Sequence, residues 1–487
     1  MSRNTSIWRN IDWPTVVMYL VLVLFGWLNV YGASHDMDQT SIFDFAYFSG
    51  KQFVWILCSL GLAGIILLID ARAYQSFSML LYLLMILLLI GTIFLAPEIK
   101  GSRSWLALGP VRLQPAEFSK FVTALAVANV MGQYGFKLSG LRNYLIVCLL
   151  ILLPMGLIIL QNETGSALVY ASFMLMLYRE GLPGLIPFAA LCAVVLFVVV
   201  VRFGALPFAG VPSASMGLAI AFILMLIVAF SMILRYRTQK TPVRFLIYGY
   251  LAVFAVAIAI HAFGWLKVNF VYVQLAVLAA TGIYAAVFAV RTRCNRLWLV
   301  LAFVVIGITY CYSVNYVFDN VFKPHQRSRI EVLLGMKDDP KGDGYNVEQA
   351  KIAIGSGGFA GKGFLNGTQT TLKFVPEQHT DFIFCTVGEE YGFIGAVFVL
   401  ITYMALLFRL MRLAEAQREA FSRIYGYCVV GIFLFHILVN IGMVIGLMPV
   451  IGIPLPFFSY GGSSMWSFTI LLFIFLRLDI ANKQRAN

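Results

Sequence analysis

The chain has 487 residues, of which 61% are apolar and only 12% are charged. Soluble domains normally carry about 25% charged residues. Together with a mean hydropathy of +0.88, this shortage of charge excludes a soluble globular protein and predicts an all-α protein that crosses a membrane many times. The net charge of +13 would on its own suggest nucleic-acid binding. The cationic residues lie between apolar segments, as the positive-inside rule describes, so we expect no nucleic-acid partner.

Apolar segments long enough to cross the hydrocarbon of a bilayer recur along the whole chain. We predict about fourteen transmembrane helices, and they begin near residues 14, 52, 74, 116, 142, 164, 184, 215, 243, 269, 296, 385, 422 and 462. An even number puts both termini on one side of the membrane. Basic residues such as Arg72, Arg142 and Arg179 concentrate in alternate connectors and near both ends of the chain. This asymmetry predicts that both termini are cytoplasmic.

One connector is much longer than the others. It runs from about 318 to 384, lies on the predicted external face and combines many glycines with aliphatic and aromatic residues. Long loops of this kind are usually functional or disordered, and the apolar residues favour the functional alternative. We therefore expect the chemistry of the protein at its external face.

The second half of this loop opens with a glycine-rich run. The run extends from Gly344 to Gly358, contains Lys351 and is followed by Lys362 and Gln369. Glycines permit tight turns and a close approach of the backbone to a ligand. Phosphate binding and ordinary turns both explain the pattern, because its spacing matches neither GxxxxGK[ST] nor GxGxxG.

A polar cluster directly precedes the apolar helix that follows the loop. Glu377, His379 and Asp381 lie in the string PEQHTDFIF, at the predicted outer boundary of the membrane. Carboxylates at membrane depth are costly and usually functional. A general base is the functional interpretation, whereas a helix cap at Thr380 or Asp381 and a surface histidine are the structural alternatives.

A third group of candidates lies between the third and fourth predicted segments. Arg103 and Trp105 come first, and Pro115 then suits the first turn of a helix. Glu117 and Lys120 are i,i+3 neighbours on one face of that helix and can pair. Trp105 fits either a substrate contact or an interfacial belt residue, and the charged pair fits either a functional role or a helix-positioning salt bridge.

The last apolar region is interrupted by prolines and glycines between Asn440 and Ser464. Non-helical backbone at membrane depth is tolerated only where it faces protein or a water-filled cavity. Because transporters also build their sites from broken helices, a transport function is an alternative.

Taken together, these motifs resemble those of the SEDS family of bacterial cell-wall proteins. The resemblance rests on the strings GYNVEQAKIAIGSGG, GKGFLNGTQ, VPEQHTDFIF, GEEYGFIGA and NIGMVIGLMPVIGIPLPFFSYGGSS. It is greater to the members that act in cell elongation and rod shape than to those that act in division. The family usually has ten helices, so the resemblance implies a ten-helix core with two inserted helical hairpins. We expect core helices in 1–202, the inserted hairpins in 203–295, and the remaining core with the long loop in 296–487.

The resemblance also implies an activity. The family is known as peptidoglycan glycosyltransferases, which polymerise lipid II into β-1,4-linked glycan on the outer face of the bacterial cytoplasmic membrane. By its motif, Asp381 corresponds to the essential acidic residue and becomes the candidate general base of an inverting reaction. The implied partners are lipid II, a class B penicillin-binding protein and the elongation machinery. A flippase for lipid-linked cell-wall precursor and a non-catalytic scaffold for that machinery are the alternatives.

Several other side chains are candidates for substrate binding, because they are cationic, aromatic or part of the same motifs. They are Trp105, Arg103, Glu117, Lys120, Lys351, Lys362, Gln369 and His379. The chain departs from the family pattern at Ser104, where the family often has Arg, and at Glu163, where it has Asp. A divalent cation, Mg²⁺ or Mn²⁺, is chemically reasonable for a pyrophosphate substrate, although the sequence defines no ligand set for it.

Overall fold

The computed structural model is almost entirely helical. The residues that it describes are 5–35, 41–99, 101–109, 111–138, 140–208, 211–236, 241–263, 268–322, 324–337 and 343–486. They separate into two compact units, and the chain enters the second unit once and then returns to the first. The first unit comprises Met1–Pro183 and Asp339–Asn487, and the second comprises Gly184–Asp338.

The helices of the first unit come from both ends of the chain. They are α1 (Thr5–Asn10), α2 (Trp13–Ser34), α3 (Phe48–Leu68), α4 (Ala71–Leu95), α5 (Pro115–Met131), α6 (Leu141–Leu160), α7 (Thr164–Leu168) and α8 (Phe173–Arg179). The second unit holds α9 (Leu185–Phe203), α10 (Met216–Tyr236), α11 (Thr241–Ala262), α12 (Phe270–Thr292), α13 (Trp298–Asn320) and α14 (Pro324–Leu333). The first unit then continues with α15 (Asp343–Gly357), α16 (Thr368–Thr371), α17 (Ile383–Glu415), α18 (Ala420–Val444) and α19 (Gly462–Ala486).

Two short antiparallel hairpins complete the described secondary structure. In the first unit, β1 (Leu106–Leu108) pairs with β2 (Val111–Leu113). In the second unit, β3 (Pro207–Phe208) pairs with β4 (Val211–Ser215). The first hairpin joins α4 to α5 and contributes to the candidate site described below.

Helices α5 and α18 form the centre of the first unit. Most side chains of both helices are buried. α5 packs against α4, α6, α18 and α19, and α18 packs against α5, α8, α17 and α19. Because these two helices are surrounded by others, the polar side chains that they carry must find partners inside the protein.

Eleven helices in the described part of the chain are long and apolar enough to cross a membrane. Each of them begins within a few residues of a predicted segment. The protein is therefore a multi-pass membrane protein. The predicted segments near 116, 164 and 243 are also helical but do not meet the same criteria. The second of them is divided into α7, a 3-10 turn and α8. In α11, Leu246–Ala262 is an apolar stretch of the described residues. The number fourteen therefore stays a prediction.

The two ends of the chain lie at the same end of the first unit. The Lys483 ammonium donates a hydrogen bond to the Asn10 carbonyl at 3.2 Å, and α1 packs against α19. This arrangement agrees with an even number of membrane crossings. The cytoplasmic location of both termini stays a prediction.

The second unit has an apolar core of its own. The core is built from α9, α10, α12 and α13, which pack against one another. The predicted insertion, 203–295, lies inside this unit and includes α10, α11 and α12. The boundaries of the unit at Gly184 and Asp338 enclose more of the chain than the predicted insertion does.

The part of the long loop that belongs to the first unit packs against a break in α17. Gly392 has φ +63 and ψ −155, which interrupts the helix. The amides of Phe393 and Ile394 then donate to the carbonyls of Gly358 and Phe359, at 3.0 and 3.2 Å. The loop therefore supplies the hydrogen bonds that the broken helix lacks.

Gly26 of α2 lies against the backbone of the segment that precedes α19. A Cβ at Gly26 would be 2.7 Å from the Phe458 Cα and 2.8 Å from the Phe458 carbonyl oxygen. We expect Gly26→Ala to lower the free energy of unfolding by about 1–3 kcal/mol, because backbone atoms cannot rotate away from an added methyl group. Gly64→Ala in α3 is the control, because nothing lies within 4 Å of a Cβ there. Thermal unfolding of both variants in detergent measures the difference, and equal melting temperatures would contradict this packing.

Candidate active site

A cavity of about 620 Å³ lies within the first unit. Five parts of the chain form its wall, namely the start of α3, the β1–β2 hairpin with its flanking residues, Glu163 before α7, the segment before α17, and the loop from α18 together with the start of α19. Much of the wall is aromatic, and its aromatic residues are Phe48, Trp55, Trp105, Tyr460 and Trp466. The rings of Trp55 and Trp466 meet edge to face, with centroids 5.4 Å apart.

The hairpin brings two wall residues side by side. In the antiparallel register of β1 and β2, Trp105 directly precedes the first strand and Gln114 directly follows the second. The backbone amide of Gln114 donates to the Ser463 hydroxyl, and that hydroxyl donates to the Arg112 carbonyl, both at 3.2 Å. These bonds attach the hairpin to the start of α19 and leave the Arg112 side chain to line the cavity.

The segment before Trp105 is held by Glu163. The hydroxyls of Ser102 and Ser104 both donate to the Glu163 carboxylate at 2.9 Å. Arg103 instead forms an ion pair with Glu98 at 3.4 Å, in which both side chains are more than half exposed. Arg103 is therefore not among the described residues of the cavity wall, whereas Glu163 is.

The segment before α17 is anchored by its side chains and its backbone. The Gln378 amide donates to the Thr370 carbonyl at 2.8 Å. The His379 carbonyl accepts a hydrogen bond from the Tyr460 amide at 2.9 Å, and the His379 ring stacks on Phe48 with centroids 4.2 Å apart. His379 thus joins three parts of the wall through packing and its backbone.

Asp381 follows directly and lines the cavity. Its carbonyl accepts a hydrogen bond from the Asn440 side chain at 2.8 Å. Gly452, from the loop after α18, lies beside its carboxylate, because a Cβ built on Gly452 would be 3.2 Å from the Asp381 Oδ2 atom. With φ +73, Gly452 also adopts a backbone conformation that favours glycine.

The charges on the wall are of both signs. The carboxylates are Glu163, Glu377 and Asp381, and the cations are Lys51 and Arg112. Lysine and arginine side chains form strong charge-assisted hydrogen bonds with phosphate oxygens. The cavity therefore combines side chains whose chemistry suits phosphate with a carboxylate that can accept a proton.

Glu117 and Lys120 lie behind the wall. The Lys120 ammonium is 2.7 Å from the Glu117 carboxylate and 3.0 Å from the His436 Nε2 atom, and only 1% of Lys120 is exposed. His436 Nδ1 is 3.0 Å from the Pro454 carbonyl, so this nitrogen is the donor. Nε2 of the neutral ring then accepts from Lys120, and the three side chains connect α5 and α18 to the loop of the cavity wall.

The second half of the long loop is folded around Glu389, which is fully buried. The Lys362 ammonium lies 2.7 Å from the Glu389 carboxylate. The backbone amides of Gln369 and Thr370 donate to the same carboxylate at 2.9 and 2.8 Å. Lys362 and Gln369 therefore stabilise the conformation of the loop.

The structure brings only part of the predicted site together. Among the predicted residues, Asp381 and Trp105 line the cavity, and the Lys351 ammonium lies against Gly446. The remaining candidates, described in the preceding paragraphs, are not among the described residues of the wall, and their roles stay predictions. Sequence analysis did not single out Lys51 and Arg112. Arg112 lies in the same string as Trp105, Gln114 and Glu117, which is the signal that could have identified it.

Within the described residues, no group of three or more His, Cys, Asp or Glu side chains is arranged to hold a metal ion. A role for Mg²⁺ or Mn²⁺ stays a prediction.

The family model described as "Cell cycle protein", FtsW/RodA/SpoVE, matches residues 13–209 and 224–484. The chain belongs to this family, also called SEDS. Its membership confirms the resemblance that the sequence motifs indicated.

Two curated relatives in the SEDS family resemble the chain over most of their length. The peptidoglycan glycosyltransferase RodA of Treponema pallidum is 30% identical over 457 residues, which are 94% of this chain and 94% of the relative. The peptidoglycan glycosyltransferase MrdB of Escherichia coli K12 is 29% identical over 398 residues, which are 82% of this chain and 76% of the relative.

Solved structures show the same fold. A chain from a study of the structural coordination of polymerization and crosslinking by a peptidoglycan synthase complex aligns with a TM-score of 0.61 and 23% identity, covering 97% of this chain and 99% of that one. The rod shape determining protein RodA of Thermus thermophilus aligns with a TM-score of 0.54 and 21% identity, covering 97% of each chain.

The role of Glu389 in the loop can be tested by Glu389→Gln. The new amide group would face the donors on Lys362, Gln369 and Thr370, so we expect the free energy of unfolding to fall by about 1–3 kcal/mol. We also expect faster hydrogen exchange of the amides in 362–373, measured by mass spectrometry. Glu98→Gln is the control, because Glu98 is more than half exposed in its 3.4 Å pair with Arg103 and such pairs contribute about 0–1 kcal/mol. Unchanged exchange in the Glu389 variant would show that the carboxylate does not hold the loop.

Proposed function

We propose that this protein is a peptidoglycan glycosyltransferase that polymerises lipid II into β-1,4-linked glycan for cell elongation and rod shape. It would act at the outer face of the bacterial cytoplasmic membrane. The observation that carries the proposal is the position of Asp381 on the wall of a cavity that also holds Lys51 and Arg112. The names of the RodA and MrdB relatives support the same activity.

Asp381 is the proposed general base. The 4-hydroxyl of a GlcNAc residue on the acceptor attacks the anomeric carbon of the MurNAc on the donor. Asp381 takes the hydroxyl proton as the new glycosidic bond forms and the bond to the pyrophosphate breaks. Undecaprenyl pyrophosphate leaves with the electron pair of that bond, and attack from the opposite face inverts the anomeric centre. Positioned bases of this kind typically contribute about 10²–10⁴ in rate.

Lys51 and Arg112 are the proposed partners of the pyrophosphate. Pyrophosphate is already a good leaving group, so it needs neutralisation of negative charge more than it needs a proton. This requirement explains why one carboxylate together with cations would suffice, in contrast to the two carboxylates of ordinary glycosidases. The aromatic side chains of the wall supply the apolar surface that is usual around a bound ligand.

A class B penicillin-binding protein is the proposed partner within the elongation machinery. Such a protein would crosslink the glycan that this one makes. The proposal is supported by the likeness to a chain from a peptidoglycan synthase complex in which polymerization and crosslinking are coordinated.

Asp381→Asn tests the proposed base. Asparagine has nearly the same shape but does not act as a base here, so we expect lipid II polymerisation to fall by about 10²–10⁴. Polymerisation is measured with the purified full-length protein and its cognate penicillin-binding protein. Asp44→Asn is the control, since Asp44 is partly exposed and its carboxylate accepts a hydrogen bond from the Ala46 amide.

Equal glycan from wild type and Asp381→Asn would remove Asp381 from the mechanism. Absence of glycan from the wild type, with the penicillin-binding protein bound, would contradict the proposed polymerase activity. Movement of lipid II across vesicle membranes by that wild-type protein would then favour the flippase.

Neutral substitutions of the two cations test the proposed pyrophosphate site. Arg112 contributes to the hairpin through its backbone carbonyl, so Arg112→Gln removes the charge without removing that bond. We expect kcat/KM for lipid II to fall about 10–100-fold for Arg112→Gln and Lys51→Gln, because a charge-assisted hydrogen bond contributes about 1.5–3 kcal/mol. Arg72→Gln is the matched control, because Arg72 is exposed and is not among the described residues of the cavity wall. It should change kcat/KM by no more than about twofold, and an equal loss in the Arg72 variant would contradict the assignment of the pyrophosphate to Lys51 and Arg112.

A further inference from the structure

Asn440 is fully buried on α18 and contacts the backbone of two segments that form the cavity wall. Its amide nitrogen donates to the carbonyl of Asp381 itself and to the carbonyl of Ile453, each at 2.8 Å. Gly452, next to Ile453, is the residue that lies beside the Asp381 carboxylate. We propose that Asn440 is a positioning residue that fixes the base relative to the loop between α18 and α19. This inference rests on the proposed function of Asp381.

The chemistry of the two partners determines the orientation of the Asn440 side chain. Both partners are carbonyl oxygens, which only accept hydrogen bonds, so the amide nitrogen must face them. It uses both of its hydrogens, one for each segment of the wall. An aspartate of the same size would present oxygen to both carbonyls and repel them, and an alanine would leave both without this donor.

The neighbouring contact of α18 strengthens the argument. His436 lies one helical turn before Asn440 and holds the Pro454 carbonyl through its Nδ1 atom at 3.0 Å. Without Asn440, His436 would still hold the loop at Pro454. The Asp381 carbonyl would lose the bond that ties it to that loop. We therefore expect Asn440→Ala to displace the base relative to the loop without releasing the loop from the protein.

Displacement of a catalytic group has a characteristic kinetic effect. Misplacement by about 1 Å can cost on the order of 100-fold in rate, because the group no longer reaches the reacting atom in the required geometry. Substrate contacts elsewhere in the cavity remain. For Asn440→Ala we expect kcat to fall roughly 10–100-fold, whereas KM for lipid II changes by no more than about threefold.

Asn29 in α2 provides a matched control. It is also an asparagine with no exposed surface, and its amide nitrogen donates to a backbone carbonyl, that of Phe25, at 2.8 Å. That carbonyl belongs to the preceding turn of the same helix, so Asn29 connects no part of the cavity wall. Asn29→Ala therefore reports the cost of removing a buried amide, and we expect its kcat to stay within about twofold of the wild-type value.

The experiment measures kcat, KM and melting temperature for the full-length wild type, Asn440→Ala, Asn29→Ala, Asp381→Asn and the Asp381→Asn/Asn440→Ala double variant. Each is assayed on lipid II with the cognate penicillin-binding protein. If Asn440 acts through Asp381, its substitution adds little to the loss already caused by Asp381→Asn. This non-additivity, together with a selective fall in kcat, is the expected result.

Three results would overturn the inference. They are a normal kcat for Asn440→Ala, an equal fall in kcat and melting temperature for the two asparagine variants, and full additivity in the double variant. Each of them leaves an active wild type and an inactive Asp381→Asn, so the proposed function would stand. An inactive wild type or a fully active Asp381→Asn would instead overturn the proposed function, and the inference with it.

Discussion

The whole candidate site depends on how the non-helical backbone of its wall finds hydrogen-bond partners inside the protein. The chain between α18 and α19 is not helical, so many of its peptide groups need hydrogen-bond partners from outside the segment. Side chains of neighbouring helices supply the donors for its carbonyls. The pairs are Asn440 with Ile453, His436 with Pro454, and Tyr403 with Pro456. Because an unpaired buried carbonyl is costly, these helices fix the path of the loop.

The same contacts determine the shape of the cavity. The loop that α18 holds in place carries Gly452 and Tyr460 to the wall. Two hydrogen bonds then hold the segment before α17. The Tyr460 amide donates to the His379 carbonyl, and the Asn440 side chain donates to the Asp381 carbonyl. A helix in the centre of the first unit therefore controls the position of a carboxylate on the cavity wall. Rigidity of this kind suits a base, which must be in place before the substrate arrives.

The sequence motifs predicted the helical fold and the regions of the site more accurately than the individual contacts. Asp381 stood out because a carboxylate at the membrane boundary is costly and usually functional, and Trp105 because it belongs to the motifs that resemble those of the family. Lys362 was a candidate because it is a cation in a glycine-rich loop. Its partner Glu389 is distant in sequence, and no local pattern indicates that the two side chains pair. Lys51 resembles any basic residue near a helix end, and only tertiary structure brings it to the same cavity as Asp381. Long-range pairing of polar groups is therefore what the local patterns could not reveal.

The most direct measurement is a cryo-EM structure of the full-length Asp381→Asn variant with lipid II and the cognate penicillin-binding protein. Loss of the base should allow the substrate to bind without reacting. The account predicts that the pyrophosphate lies between Lys51 and Arg112 and that the sugars lie against Trp105 and residue 381. A headgroup bound away from these residues, with the cavity unfilled, would contradict the account.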